Sequence, residues 1–582
     1  MKHKLSKKIF ALGGAALLCS CGSTSNSVKI DAGKTQIYIQ MYAGGFGSEY
    51  LQSMMDAWNA KSDKYQLVLT SPNLFSSGND LTALQTGTKV DVFWSSFVDY
   101  QTGFYAKGDG YFEDLSPILE RKPDGEGGLS VREKIIDKGA WLGGATQKNG
   151  EGCYMLPNTS TIAGIIFDYD LFVQQDWLKA APVSEKGAVE QDGIACHEEG
   201  GKLIFDSSSD PDCFYRKGDT IMIASHDGHY GTYDDGQPVS LSDFEAMLSY
   251  LDADGYTPIA YAGQDVGYLD PLAESYFAQL IGEESYSQFL NFDSEGKNFT
   301  FVDANGGESQ RPLTIDNGYQ AYSTKGYDET IDYMERYFFG SYVGDYSKTG
   351  AKTVDDLQST YLKNFQLTSK KNLCFASIVS GNWFETEAKS FIQRIGSNNP
   401  GRGYGDQRFR IMLTPRAEGA TSKKTIMSAL EVGGLLVKKQ GDAEKKNAIF
   451  DFIESTLTNE NLAKTASNYG LIRPYSFTMS KEQKEAMTPF NRYCYTLAQD
   501  TDNVTVLTSR LSRLNAPMAY AQGSCTIGTA MPFGRMATSI LSAMRTESAD
   551  ALKKSTKSMY DPALWAAGVA QCRSGGFYGA KN

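Results

Sequence analysis

The sequence predicts an α/β protein in which mostly parallel sheets carry helices on their faces, divided between two lobes. Three observations predict it. Strand-like and helix-like segments alternate near the start of the chain. A glycine-rich turn follows the first strand, where such folds open toward a ligand. A length of 582 residues exceeds what a single hydrophobic core usually holds, and two lobes are the economical division.

The first strand is read at residues 35–41, where Ile37, Ile39 and Met41 alternate with polar neighbours. Residues 43–47 interrupt the alternation, and Ser48 is placed to cap the helix that follows. In that helix, residues 49–60, Leu51, Met54, Met55 and Trp58 recur at helical spacing; residues 65–70 read as the next strand. Residues 90–94 form a third, ending in Ser95 and Ser96 before a helix through Tyr100 and Phe104. Ligands in such sheets bind beyond the carboxyl ends of strands, so residues 44–48 and 94–99 should face one crevice. Residues 179–233 differ: Gly, Asp, Ser and Glu dominate, His197, His226 and His229 fall there, and the stretch reads as an acidic, Gly-rich insertion. Helical spacing returns at 242–254 and at 443–456, where Ala448, Ile449, Phe452, Ile453 and Leu457 share a stripe.

The amino terminus reads as an address. Lys2, Lys4, Lys7 and Lys8 precede ten apolar residues, 9–18. As a helix these rise about 15 Å, half of a hydrocarbon core, so the run reads as a cleaved signal peptide, residues 1–20. Leu18, Ser20 and Cys21 resemble the lipobox of bacterial lipoproteins, which puts a lipid on Cys21 and the protein on the outer face of the cell membrane. Residues 21–34, rich in Ser, Thr and Asn, read as a flexible tether. Removing four lysines and no acid takes the net charge from −13 to −17, which suits neither nucleic acid nor an anionic lipid surface. No later stretch reaches 18 consecutive apolar residues. Seven cysteines follow Cys21, widely spaced and odd in number, so no disulfide framework is expected; Cys196 and Cys213 are the only close pair.

Five further blocks, in order, resemble the extracellular solute-binding proteins of sugar ATP-binding-cassette importers, the family of the maltodextrin binder. They are Asp91 to Ser96 with Gly110 to Leu115; Leu156 and Pro157 through Asp170, Leu171 and Phe172; Phe375 to Trp383 with its Gly-x-Trp ending; Phe409 to Pro415; and Gly433 to Pro474, including Asn468, Tyr469 and Gly470. The resemblance implies a type II periplasmic-binding-protein fold with a hinge between lobes, lobe I at 34–157 and 430–475 and lobe II at 158–429 and 476–582. It also implies a monomer that captures a sugar by lobe closure, delivers it to permease transmembrane subunits, performs no catalysis and needs no cofactor.

Sugars present apolar C–H faces and polar rims, so a site needs flat aromatics together with amides or carboxylates. Covering about 50 Å² of a face is worth roughly 1.3 kcal/mol, whereas micromolar capture needs about 8 kcal/mol, so several contacts must cooperate. Trp94, Trp383 and Tyr268 are the candidate platforms; Asp99, Gln264, Asp265 and Asn382 the candidate hydroxyl partners; Tyr42 and Phe46 candidates on the first loop. Phe533 is the loosest candidate, for which core packing is the better reading, and a Trp at a strand end serves as readily in a core as at a ligand. Thr161 stands where the maltodextrin binder has a glutamate, so that relative's substrate does not transfer with its fold. Acidic clusters at 206–212 and 252–254 lack the twelve-residue calcium pattern. His226 and His229 have no third ligand fixed by sequence, and no metal site is expected. A surface glycan hydrolase with paired carboxylates and a glycan-binding sensor or adhesin are the alternatives.

Overall fold

The computed structural model describes residues 30–41, 44–70, 84, 87–97, 111–136, 141, 152–207, 213–291, 294, 296–302, 307–322, 324–364, 374–420, 422–430, 432–507, 538–559 and 562–574. The signal, Cys21 and the tether as far as residue 29 lie outside them, as do Tyr42, Asp99 and Phe533; residues 30–34 of the tether lie against the first strands, Asp31 N–H donating to Gln66 Oε1 at 2.8 Å.

Two separate sheets form the two lobes. The first has the order β2-β1-β3-β14-β4, with β1 Thr35–Met41, β2 Tyr65–Leu69, β3 Val92–Phe97, β4 Leu156–Ser160 and β14 Val432–Val437. The second has the order β12-β5-β11-β8, with β5 Ala163–Asp168, β8 Thr257–Ala260, β11 Phe375–Gly381 and β12 Phe409–Met412. In the first sheet, sheet I, β4 ends at Ser160, and the chain crosses at 161–162 into β5 of the second. It returns between β13, Thr425–Ser428, and β14. β13 pairs in parallel with β15, Val504–Leu507, and β9, Asn298–Val302, pairs antiparallel with β10, Glu308–Pro312.

The sheets are mixed rather than mostly parallel. β1 pairs in parallel with β2 and β3, but β14 runs antiparallel to both β3 and β4. In lobe II, β11 is parallel to β8 while β5 is antiparallel to β11 and β12. The physical reason is the hinge: β5 and β14 each enter from the other lobe, start at the shared edge and run away from it, against strands that end there.

Local chemistry explains most element ends. The helix Leu241–Ala253 begins at a capping box between Ser240 and Asp243, and the helix Ala443–Ser455 begins at Asp442, whose carboxylate accepts from Glu444 N–H at 2.9 Å. Ser48 does not act as expected. It precedes the helix Glu49–Asn59 in a helical conformation with φ −112°, and its hydroxyl makes no cap bond. The helix Asn459–Tyr469 stops at Gly470, whose φ of +69° suits glycine.

The insertion is a small body on the outer edge of lobe II. Its hairpin, β6 Ala195–Glu199 and β7 Lys202–Ser207, pairs only with itself among the named strands. Two arginines of edge strand β12 and its approach hold it. Arg408 pairs with Asp170 and, at 2.6 Å, with Asp219 of the insertion, and donates to the Phe214 carbonyl. Arg410 lies 3.5 Å over the Tyr169 ring and donates to the Tyr233 carbonyl. Both ring nitrogens of His226 are engaged, by Thr425 Oγ1 and the Pro238 carbonyl, and burial lowers its pKa to about 4. Cys196 and Cys213 are not bridged: neither is in a disulfide, the first lying on β6 and the other, half-buried, on the approach to Phe214. Cys153, Cys374 and Cys494 are buried thiols outside any disulfide. Among the described residues, no helix is long and apolar enough to cross a membrane and no cluster of His, Cys, Asp or Glu could hold a metal ion.

Candidate functional site

Strand direction locates the cleft. In lobe I the carboxyl ends of β1, β3 and β4 lie at the edge where β14 begins; in lobe II the carboxyl ends of β8, β11 and β12 lie at the edge where β5 begins. Because β4 runs into β5 and β13 into β14 through short crossovers, these two edges face each other. Carboxyl edges are where open α/β sheets bind ligands.

Trp383 takes part in a contact between the lobes. It stands two residues beyond β11 and is 4% exposed. On one side Tyr268 approaches, ring centroids 6.1 Å apart and tilted 60°. On the other lies the turn of lobe I that follows β1, whose 3₁₀ segment spans Gly44–Phe46. Gly45 packs on the indole so closely that a Cβ there would stand 2.8 Å from Trp383 Cγ. Phe46 is buried in the same turn.

Trp94 is placed otherwise than read from the sequence. It is fully buried, its Nε1 donates to the Tyr50 hydroxyl at 2.9 Å, and Phe452 and the Arg473 guanidinium cover it at 5.9 and 5.4 Å. All three partners belong to lobe I, so Trp94 is a core residue in this conformation. The reason is register: Trp94 pairs with Met41 inside sheet I, and β3 runs on to Phe97, three residues past the expected strand end.

The polar candidates divide. Asn382 is buried at the crossover, its N–H donating to the Ile162 carbonyl at 2.9 Å and its Oδ1 accepting from Ile162 N–H at 3.1 Å. Asp265 is half-buried and caps the turn into Tyr268 by accepting from Gly267 N–H at 3.0 Å. Gln264 is exposed, its backbone N–H donating to the Lys352 carbonyl. The structure therefore brings Trp383, Tyr268, Asn382 and Phe46 together and leaves Gln264 on the surface.

Two residues of this region went unread in the sequence. Ser380, on β11, is buried with no partner for its hydroxyl; its place two residues before Asn382 in the Gly-x-Trp block was the available signal. Glu385 is buried two residues after Trp383, with Thr488 donating to its Oε2. Burial raises its pKa from the usual 4.5 to about 7, against the opposing bonds from Thr488 and the Gly405 backbone and the charge of Lys389. No sequence pattern marks a carboxyl that burial will perturb. Nearby, Thr386 Oγ1 donates to the Tyr469 carbonyl of lobe I at 3.4 Å, and a Cβ on Gly470 would stand 2.7 Å from Asn491 Cγ.

No family model matches the sequence, and no curated protein matches it. Solved structures do. RafE from Streptococcus pneumoniae matches at 14% identity with a TM-score of 0.52, covering 92% of this chain and 99% of its own. The fold is that of the solute-binding proteins. A chitin oligosaccharide binding protein matches over 93% of this chain and 100% of its own, at 11% identity and a TM-score of 0.53. The bacterial solute receptor AcbH, described with an exclusive preference for β-D-galactopyranose, matches over 90% and 98%, also at 11% identity and 0.53. RafE is also known in complex with raffinose. A two-lobed solute-binding fold accounts for the paired edges and short crossovers described above.

Proposed function

We propose that this protein captures a carbohydrate outside the cytoplasmic membrane by closing its lobes on it, and delivers it to an importer permease without chemistry of its own. The observation that carries the reading is Trp383 with Tyr268 beside it, an aromatic pair at the carboxyl edge of lobe II facing the turn after β1. Aromatic faces cover the C–H faces of sugars, and a cleft between lobes lets both contribute. Closure is driven by the ligand's greater affinity for the closed form, the form a permease would recognise. The solute-binding fold supports the reading, as do the saccharides named for RafE, AcbH and the chitin oligosaccharide binding protein. Lipid on Cys21 would hold the protein at the membrane, on the strength of the basic start, the short apolar run and the lipobox-like residues.

Thermal shift and calorimetry against a broad saccharide panel test this. Binding should be reversible, should raise Tm by mass action and should leave the saccharide intact. A panel without a binder, alongside tight binding of a peptide or polyamine, sinks the reading; release of reducing ends would replace capture with hydrolysis.

A further inference from the structure

The turn that carries Tyr268 is held by the far end of the chain. Tyr268 lies in the 3₁₀ segment Val266–Leu269, which residues 261–265 join to the carboxyl end of β8. The helix Thr538–Ala543 packs on that segment, with Leu541 and Met544 buried. Arg545, half-buried just beyond the helix, donates from Nη2 to the Gly263 carbonyl, and a Cβ on Gly350 would stand 2.9 Å from its Nη1. A bond from a guanidinium is charge-assisted and stronger than one between neutral groups.

The rest of the turn is built so that a constraint at Gly263 reaches Tyr268. Tyr261 N–H donates to Ser347 Oγ at 2.8 Å and Gln264 N–H to the Lys352 carbonyl at 2.9 Å, which tie the strand exit to the chain at 347–352. Gly263 lies so close to that chain that a Cβ would stand 3.1 Å from Gly350 N. Onward the turn closes on itself: Asp265 N–H donates to the Ala262 carbonyl at 3.0 Å, and the Asp265 carboxylate accepts from Gly267 N–H at 3.0 Å. The carboxyl-terminal segment has other anchors, set on other elements. Ala549 N–H donates to Glu335 Oε1 at 2.7 Å, Lys553 pairs with Asp332, and Trp565 Nε1 donates to the Ile315 carbonyl at 2.6 Å. Loss of the Arg545 bond therefore leaves the segment attached.

We infer that Arg545 is a positioning residue for capture: its bond to the Gly263 carbonyl sets the turn that carries Tyr268, and so the approach of Tyr268 to Trp383. The inference rests on the capture reading and adds to it a residue of the carboxyl-terminal segment that acts on the site through Tyr268. A ring fixed before the ligand arrives removes an ordering cost from binding, and such a ring depends on the residues that support it from behind.

Amide hydrogen exchange, and calorimetry with raffinose, chitin oligosaccharides and maltodextrins, test it on Arg545→Ala, Arg545→Lys, Lys553→Ala, Tyr268→Ala and the combination of Arg545→Ala with Tyr268→Ala. Arg545→Ala should speed exchange at least fivefold across 262–268, leave 549–559 and sheet I unchanged, and weaken the best saccharide at least fivefold. Arg545→Lys, which keeps a charged donor, should bring affinity back to within twofold. In the Tyr268→Ala background the added Arg545→Ala should cost less than twofold, because the loss runs through Tyr268; a residue that merely stabilised the lobe would weaken binding equally in both backgrounds. Lys553→Ala loosens the same segment elsewhere and should change neither readout. If the unsubstituted protein binds a saccharide and Arg545→Ala binds it within twofold as tightly, the positioning role is overturned and capture stands. Equal losses in both backgrounds, or the same changes in Lys553→Ala, overturn it as well. If the unsubstituted protein binds none of the saccharides, capture and the positioning role fall together.

Discussion

Gly45 of lobe I and Trp383 of lobe II meet backbone against ring, with room for no side chain between them: a Cβ on Gly45 would stand 2.8 Å from Trp383 Cγ and 2.9 Å from its Cβ. The contact joins the turn after β1 to the end of β11, so it is made only when the lobes come together.

Gly45→Ala should therefore oppose closure. Gly45 does not occupy the positive-φ region, so the added methyl acts through the contact and not through backbone strain. Overpacking of this kind costs about 1–3 kcal/mol, equivalent to roughly 5- to 150-fold in a closure equilibrium. Small-angle scattering should give a larger radius of gyration for the variant and calorimetry a weaker saccharide affinity. An unchanged radius and affinity would show that the turn yields freely.

Glu385 should make stability depend on pH. Its folded pKa, about 7, lies above its usual 4.5, so the native state holds the proton more tightly than the unfolded chain. Stability is full below pH 4.5, falls as pH rises through 7 and then levels, a loss on the order of 3 kcal/mol from this group. Glu385→Gln should flatten that part of the profile and raise stability at pH 8. Denaturant midpoints across pH 4.5–8 measure it, and parallel profiles for the two proteins would refute it.

Arg408 should hold the insertion in place. Its side chain is 9% exposed, and its removal leaves Asp219, 17% exposed, with the Arg216 backbone N–H and Asp170, 32% exposed, with only the Arg216 guanidinium at 3.8 Å as cationic partner. Arg408→Ala should cost about 2–4 kcal/mol, below the range for fully buried pairs because Asp170 keeps some water. Hydrogen exchange should accelerate across 213–222 and stay unchanged in sheet I. Uniform acceleration of both lobes would contradict the anchoring role.

The described cysteines should titrate as thiols. Under denaturing, non-reducing conditions Cys153, Cys196, Cys213, Cys374 and Cys494 should all react with an alkylating probe. In the native protein Cys213 should react first; Cys153, whose thiol burial pushes up to about 12, should be protected. A mass two protons lighter, with Cys196 and Cys213 blocked together, would establish a bridge instead.

The sequence by itself determined the local alternation of β1, the helix at 49–59 and β2, because periodicity records which side of each element meets a core. It also determined the order of the blocks around Trp383 and Gly470, whose positions in a Gly-x-Trp and an Asn-Tyr-Gly run can be read directly. Tertiary structure alone decided which aromatic meets the other lobe. Trp94 and Trp383 both follow apolar strands in the sequence, yet Trp94 is sealed by Tyr50, Phe452 and Arg473 within one lobe while Trp383 meets the other lobe at Gly45. Tertiary structure likewise decided the reversed strands β5 and β14, the raised pKa of Glu385 and the unpaired groups of Ser380 and Asn382. The reason is common to all of them: burial, strand direction and hydrogen-bond satisfaction are set by residues up to several hundred positions away, and a window along the chain does not contain them.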